Sequence, residues 1–227
     1  MKFFDSLILE TEKLISPFPK KEFEVCKPWH DAQQAQVIMR RDTAFELEGV
    51  GFNIVTSGKI KDGIVLVGDN LNEIKDNRKF ARITVVQIED SDDEQKAYNL
   101  IKKIDYVKYH CFPDGYMMRS TSRSHKEAVR VSKQALQDGA DFRKIGSLLI
   151  EKYKEIPAVK GVKVIFITAK EAYYNETERI AEKNYAITEA LNHVMNSVNF
   201  DCDTCNLKAI CDEVEGMKEL HFNKADK

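Results

Sequence analysis

Cys202, Cys205 and Cys211 fall within one short segment, FDCDTCNLKAIC, close to the C-terminal end of a chain that holds five cysteines in all. The first two form a C-x-x-C, and the third follows after five intervening residues. A C-x-x-C turn brings two thiolates to the same side, where they can face one ion. Three thiolates stay together only if cation charge offsets their repulsion. Zinc takes four ligands, and a [4Fe–4S] cube needs one ligand per iron. His193 and His221, the nearest histidines, do not sit at zinc-finger spacing. Three readings stay open: an iron–sulfur cluster with a distant fourth cysteine, Cys111 or Cys26; a zinc site; or three buried, reduced thiols in a terminal helical hairpin.

A second group is basic: Arg119, Arg123, Lys126, Arg130 and Lys133, with His125 among them. Read as a helix, SHKEAVRVSKQALQDG has Ser124 as N-cap and Glu127 as its capping-box partner. Lys126, Arg130 and Lys133 then recur at i, i+4 and i+7 on one face. Arg119 and Arg123 sit in the loop before it, and the helix N-terminus adds unpaired N–H groups. That arrangement suits the phosphates of a nucleotide-like ligand. The plainer readings are a solvated helix face, or Arg130 paired with Glu127 or Glu151 for the fold alone.

Composition narrows the field. Charged residues make up 32% of the chain, but the formal net charge is −2, so no bulk attraction to nucleic acid is expected. The opening MKFFDSLILE is broken by Asp5 and Glu10, unlike a secretory signal. No run approaches the about eighteen apolar residues of a membrane span. A cytoplasmic protein is expected, in which clustered cysteines more often bind metal or do redox chemistry than form disulfides. No G-x-G-x-x-G, Walker A or H-E-x-x-H motif is present.

The elements that position these residues read as follows. Residues 3–15 form an amphipathic helix closed by SPFPKK. TAFELEGVGFN, GIVLVGD and ARITVVQIE read as strands, and DDEQKAYNLIKKIDYVKYH as a helix. CFPDGYMMRSTSRS reads as turn and loop, with Met117, Met118 and Phe112 packing in the core. After the basic segment, DFRKIGSLLIEKYKEIP is a helix stopped at Pro157, and GVKVIFITAK is a central strand. KEAYYNETERIAEKNYAITEALNHVMNSV is a long helical stretch with a break near Tyr185. The expected fold is α+β: a single domain with a mixed β-sheet flanked by helices and a cysteine-bearing C-terminal tail. Its parts are an N-terminal helix and capping segment (1–40), an α/β domain (41–199) and the metal-binding tail (200–227). Trp29 and His30, beside Cys26, read as a packed N-terminal loop or as groups bordering the cluster.

TAFEL (Thr43 to Leu47), GKIKDGIVLVGDNLNEI (Gly58 to Ile74), VRVSKQAL (Val129 to Leu136), DFRKIGSLLIEKYKEIPAVKGVKVIFITAKEA and the helix leading into CDTC carry a family resemblance. In order and spacing they resemble the middle region of acetyl-CoA synthase, the β subunit of the carbon monoxide dehydrogenase/acetyl-CoA synthase complex. The resemblance implies an α+β domain that contributes basic residues to coenzyme A binding. It implies that the cysteines after the last helix begin a cluster site, where a [4Fe–4S] cube is bridged to two nickel-site metals. Cys202 and Cys205 match the first two cube ligands, and Cys211 corresponds to the third at a shorter spacing. Cys111 is then the expected fourth, because the resemblance puts the metal and ligand sites close together and Cys26 lies outside the match.

The sequence also departs from the family. No fourth cube cysteine follows Cys211, and the C-G-C that holds the distal nickel has no counterpart, so nickel is not expected. Met117 and Met118 stand where the family has a Trp before its basic segment. The expectation is a stand-alone module that binds an iron–sulfur cluster, with coenzyme A as a candidate second ligand. It would act with other subunits or enzymes of one-carbon and acetyl-CoA metabolism, with neither nucleic acid nor membrane as partner. The alternatives are an acetyl- or methyl-transferase subunit of such a complex and a zinc-stabilised interaction protein.

Overall fold

The computed structural model describes residues 4–39, 42–89, 94–121 and 125–196. The architecture is α+β and is organised by one long strand, β2 (Ala44–Thr56), buried along most of its length. Around it a seven-stranded sheet forms from β1 (Lys20–Phe23), β3 (Gly63–Val67), β4 (Arg78–Ile88), β5 (Tyr116–Ser120), β6 (Lys126–Ser132) and β7 (Val159–Ile167). The spatial order is β1-β3-β7-β4-β2-β6-β5. β2 runs parallel to β4 and β3 parallel to β7, while the other pairs are antiparallel. The sheet is therefore mixed, as the sequence suggests, and GVKVIFI sits in its interior beside β4. Buried positions on both sides of β4 and β7 explain why those strands read as near-continuous apolar runs.

Helices cover both faces. α4 (Phe142–Lys154) starts at Asp141, whose carboxylate caps the Lys144 N–H at 2.7 Å. Its Phe142 packs on Phe166 of β7, with ring centroids 4.4 Å apart, and both stack with Phe80 of β4. α1 (Asp5–Ile15) and α5 (Tyr174–Asn196) pack on each other and against the other face. There Thr56 at the end of β2 donates to the Asp5 carboxylate at 2.8 Å. α5 is continuous; the expected break near Tyr185 does not occur. α2 (Glu94–Tyr106), extended by a 3-10 turn, fills the edge of β2 beyond the end of β6, where Asn53 Nδ2 reaches the Ile104 carbonyl at 3.3 Å.

The segment expected to be a basic helix is instead a strand and one short helix. β6 takes Lys126–Ser132, and α3 (Lys133–Gln137) follows, capped by Ser132 rather than by Ser124. Ser124 lies outside the described residues. KEAVRVS alternates between the two sheet faces, with Glu127, Val129 and Val131 buried and their neighbours facing out. Pairing with β2 from Ala44 to Val50 favours that period over the helical one. β5, read as loop, supplies the next strand out. β1 was also unforeseen and pairs with β3 at the opposite edge.

Trp29 and His30 belong to a strap that crosses the turn before β5. Trp29 Nε1 donates to the Asp114 carbonyl at 2.7 Å, and Asp114 N–H donates to the His30 carbonyl at 2.9 Å. This is the packed-loop reading of that segment.

Candidate functional site

The strand geometry rearranges the basic group. Lys126 and Arg130 stand on one face of β6, and Arg119 on β5 joins them through its pairing with Ala128. Lys133 does not join them. On a helix it would lie ~10 Å along the axis from Lys126, whereas seven extended residues span ~23 Å. It sits instead at the far end of β6, with Nζ over the Phe45 ring at 5.2 Å. Arg130 is already engaged. It pairs with Glu46 at 3.3 Å and donates to the Ile38 carbonyl at 3.4 Å, neither of its sequence-suggested partners being involved. Arg119 and Lys126 line a cleft of about 740 Å³ between β2, β6 and the first half of α5. Lys79 adds a third cation to its lining, but Glu48, Glu178 and Glu182 line it as well, so the charge there is mixed. Arg123 lies outside the described residues.

Beneath this surface is a charged group that sequence reasoning missed. Arg82 on β4 and Glu127 on β6 are both fully buried and meet through two hydrogen bonds, Nε–Oε1 at 2.8 Å and Nη2–Oε2 at 2.7 Å. Arg82 Nη1 also donates to Thr84 at 2.7 Å, and Ser120 donates to Glu127 at 2.8 Å. Burial alone would discourage the Arg82 charge, but the Glu127 carboxylate more than restores it, and the guanidinium pKa ends above its ordinary value. Tyr153 of α4 donates to Asn53 at 2.7 Å next to this pair. The available signal was Arg82 itself, one charge inside the otherwise apolar run FARITVV.

His125, immediately before β6, is 5% exposed and has φ of 47°. Non-glycine residues seldom occupy that left-handed region. The His125 carbonyl accepts from Gly51 N–H at 2.8 Å, which ties the turn to β2. Burial first, and then Lys108, push its imidazole pKa down to about 4, so the ring is neutral near pH 7.

The two described cysteines stand apart. Cys26 is partly exposed, with its Sγ 3.5 Å from Ser147 Oγ. Cys111 is 2% exposed, and burial pushes its thiol up to about 12. Metal ligation needs a thiolate, and that environment favours the protonated thiol. Cys202, Cys205 and Cys211 lie outside the described residues. Among the described residues no group of three or more His, Cys, Asp or Glu side chains is placed to hold a metal ion.

The model of one protein family, CdhC, the CO dehydrogenase/acetyl-CoA synthase complex beta subunit, matches residues 30–173. The chain belongs to the CdhC family. The match takes in β2 to β7, the Arg82–Glu127 pair, the cleft residues Arg119 and Lys126, and Cys111. An acetyl-CoA synthase-related role follows from CdhC membership. The C-terminal cysteines and all of α5 fall beyond the matched CdhC region. No curated protein matches the chain. Among the described residues no helix is long and apolar enough to cross a membrane.

Proposed function

We propose that this CdhC-family chain is a cluster-carrying binding module that acts beside other subunits of a CO dehydrogenase/acetyl-CoA synthase-type assembly. What carries the reading is one juxtaposition in the sequence: a CdhC match over β2 to β7, followed after α5 by C-x-x-C-x5-C. That donor set is chemically suited to an iron–sulfur cluster, with Cys202, Cys205 and Cys211 as ligands and Cys111 as the proposed fourth. For Cys111 to serve, its buried thiol must give up a proton that its surroundings favour keeping. A [4Fe–4S] cluster, when bound, supplies a redox-active group with Lewis-acidic iron.

Coenzyme A is the proposed second ligand. Arg119 and Lys126 would hold its phosphates at the cleft beside α5, and Arg123 is the third proposed phosphate contact. Arg130 and Lys133 play no part there, because the first is paired with Glu46 and the second stands at the other end of its strand. The carboxylates of Glu48, Glu178 and Glu182 weaken the positive potential, so affinity is modest and salt-sensitive.

Anaerobic purification followed by iron, acid-labile sulfide and zinc analysis tests the first part. Iron and sulfide in matching amounts, lost in Cys205→Ser, are expected. Stoichiometric zinc without sulfide would replace this reading with a zinc-stabilised interaction protein.

A further inference from the structure

Behind the His125 turn lies a second cavity, of about 390 Å³, between α2, α5 and the free edge of β2. That volume suits a small organic ligand. Its walls are largely apolar, with Phe4, Val55, Tyr98 and Ile101 among them. Of the buried polar side chains Asn53, His125 and Asn184 in the lining, Asn53 is engaged by Tyr153, while His125, 5% exposed, and Asn184, 3% exposed, form a pair. They touch each other, Asn184 Nδ2 lying 3.3 Å from His125 Nε2. Their remaining atoms, His125 Nδ1 and Asn184 Oδ1, are buried with no partner among the described residues. Native interiors rarely leave such groups unmatched.

The chemistry of the unmatched pair follows from the matched one. If the Asn184 amide donates to Nε2, the imidazole proton is on Nδ1. The pair then offers one N–H donor, on His125, and one C=O acceptor, on Asn184. Exchanging the oxygen and nitrogen of the amide reverses the roles: Nδ1 becomes the acceptor and the amide NH2 the donor. Either assignment leaves one donor and one acceptor. A carboxylate, with acceptors only, satisfies half of this pair, and an ammonium, with donors only, satisfies the other half. A primary carboxamide or lactam carries an N–H and a C=O and so offers a partner of each kind. The neutral imidazole adds no positive charge of its own near pH 7, and Lys102 in the lining is accompanied by Asp105 and Glu189. Tyr185 meets His125 edge-on, with centroids 5.9 Å apart, and extends the apolar wall beyond the polar pair.

We propose that this cavity is a binding site for a small, uncharged ligand that presents a carboxamide or lactam edge on a flat apolar body. It is separate from the Arg119–Lys126 cleft. His125 borders this cavity and not that cleft, while the first half of α5 lines the cleft and its second half the cavity.

Benzamide serves as the probe, with benzoate and benzylamine as its charged isosteres, each titrated into the full-length wild-type chain near pH 7 by ligand-observed NMR. Benzamide is expected to bind saturably, and each isostere at least about tenfold more weakly, since each leaves a buried partner unmatched. Asn184→Leu is expected to lose binding by about the same factor. Should that variant fail to fold, Thr188→Trp at the cavity wall blocks the space while leaving the polar pair intact, and loses binding too. A benzamide-soaked crystal with the amide against His125 and Asn184 would agree. No saturable binding at millimolar benzamide, equal binding of all three probes, a fully binding Thr188→Trp, or only ordered water in the soaked cavity would overturn the assignment.

Discussion

Arg82 and Glu127 face each other as a two-pronged ion pair shut off from solvent, reaching across β2 at the position where that strand carries Gly51. Removing one member strands the other's charge in the interior. Glu127→Ala is expected to cost roughly 3–5 kcal/mol of unfolding free energy, measured by urea denaturation. A loss below about 1 kcal/mol, the scale of an exposed pair, would show that the carboxylate contributes no more than a surface charge.

Gly51 leaves the room that the carboxylate occupies. A Cβ placed there would lie 2.0 Å from Glu127 Oε2, and the nearest atoms are all side-chain atoms of Glu127. Gly51→Ala is expected to destabilise the chain by roughly 1–3 kcal/mol through overpacking. In the Glu127→Ala background the same change should cost much less, because the clashing atoms are gone. Simple addition of the two losses would contradict a direct clash.

His125 gives stability a pH dependence of its own. Burial, then Lys108 and, further down, Arg82 lower its pKa to about 4 from an ordinary 6.5, with Asp105 and Glu127 opposing. Above pH 6.5 the ring is neutral in both folded and unfolded chains and contributes no slope. Between pH 6.5 and 4 the unfolded chain takes up a proton that the folded chain refuses, so stability falls as pH falls, by up to about 3 kcal/mol. His125→Asn keeps a residue that tolerates positive φ and should flatten that portion of a stability–pH curve. An unchanged slope would assign it to other groups.

Cysteine reactivity should rank the two described thiols. Iodoacetamide near pH 8, with peptides mapped by mass spectrometry, is expected to label Cys26 well before Cys111, since the latter is both buried and held protonated. Metal-loaded protein in which Cys111 stays protected under mild denaturation while Cys26 does not, with metal-free protein exposing both, would support its role as a fourth ligand.

Lys126 and Arg130 should part company in coenzyme A binding. Calorimetry at low salt is expected to show about tenfold weaker binding for Lys126→Ala, on the scale of one charge-assisted contact. Arg130→Ala should leave affinity nearly unchanged and lower stability modestly, because its partner is Glu46. The reverse ranking would move the ligand towards the Met117 end of β6.

Strands β2, β3, β4 and β7 were legible because burial on one or both faces leaves apolar runs between turn residues. α4 announced both its ends, at Asp141 and before Pro157. β6 was not legible, since KEAVRVSKQALQ satisfies two periods at once. Its valines alternate, while its cations recur at helical spacing, and the free edge of β2 decides between them. That single misreading also moved the basic site, because strand geometry separates Lys126 from Lys133. The buried pair was hidden for another reason. Arg82 and Glu127 are 45 residues apart, and only the sheet register brings them together.

The strand order β1-β3-β7-β4-β2-β6-β5 sets a timetable on synthesis. Among the described strands β7 leaves the ribosome last, yet it sits between β3 and β4, both made much earlier. Until Val159–Ile167 emerges, β3 and β4 each present an unpaired edge, and the sheet stands as two separate pieces, β1-β3 and β4-β2-β6-β5. Open edges of that kind invite pairing with other chains. A nascent chain stalled before residue 159 would therefore be a prime client for chaperones, and cooperative folding must wait for a strand made after both of its neighbours.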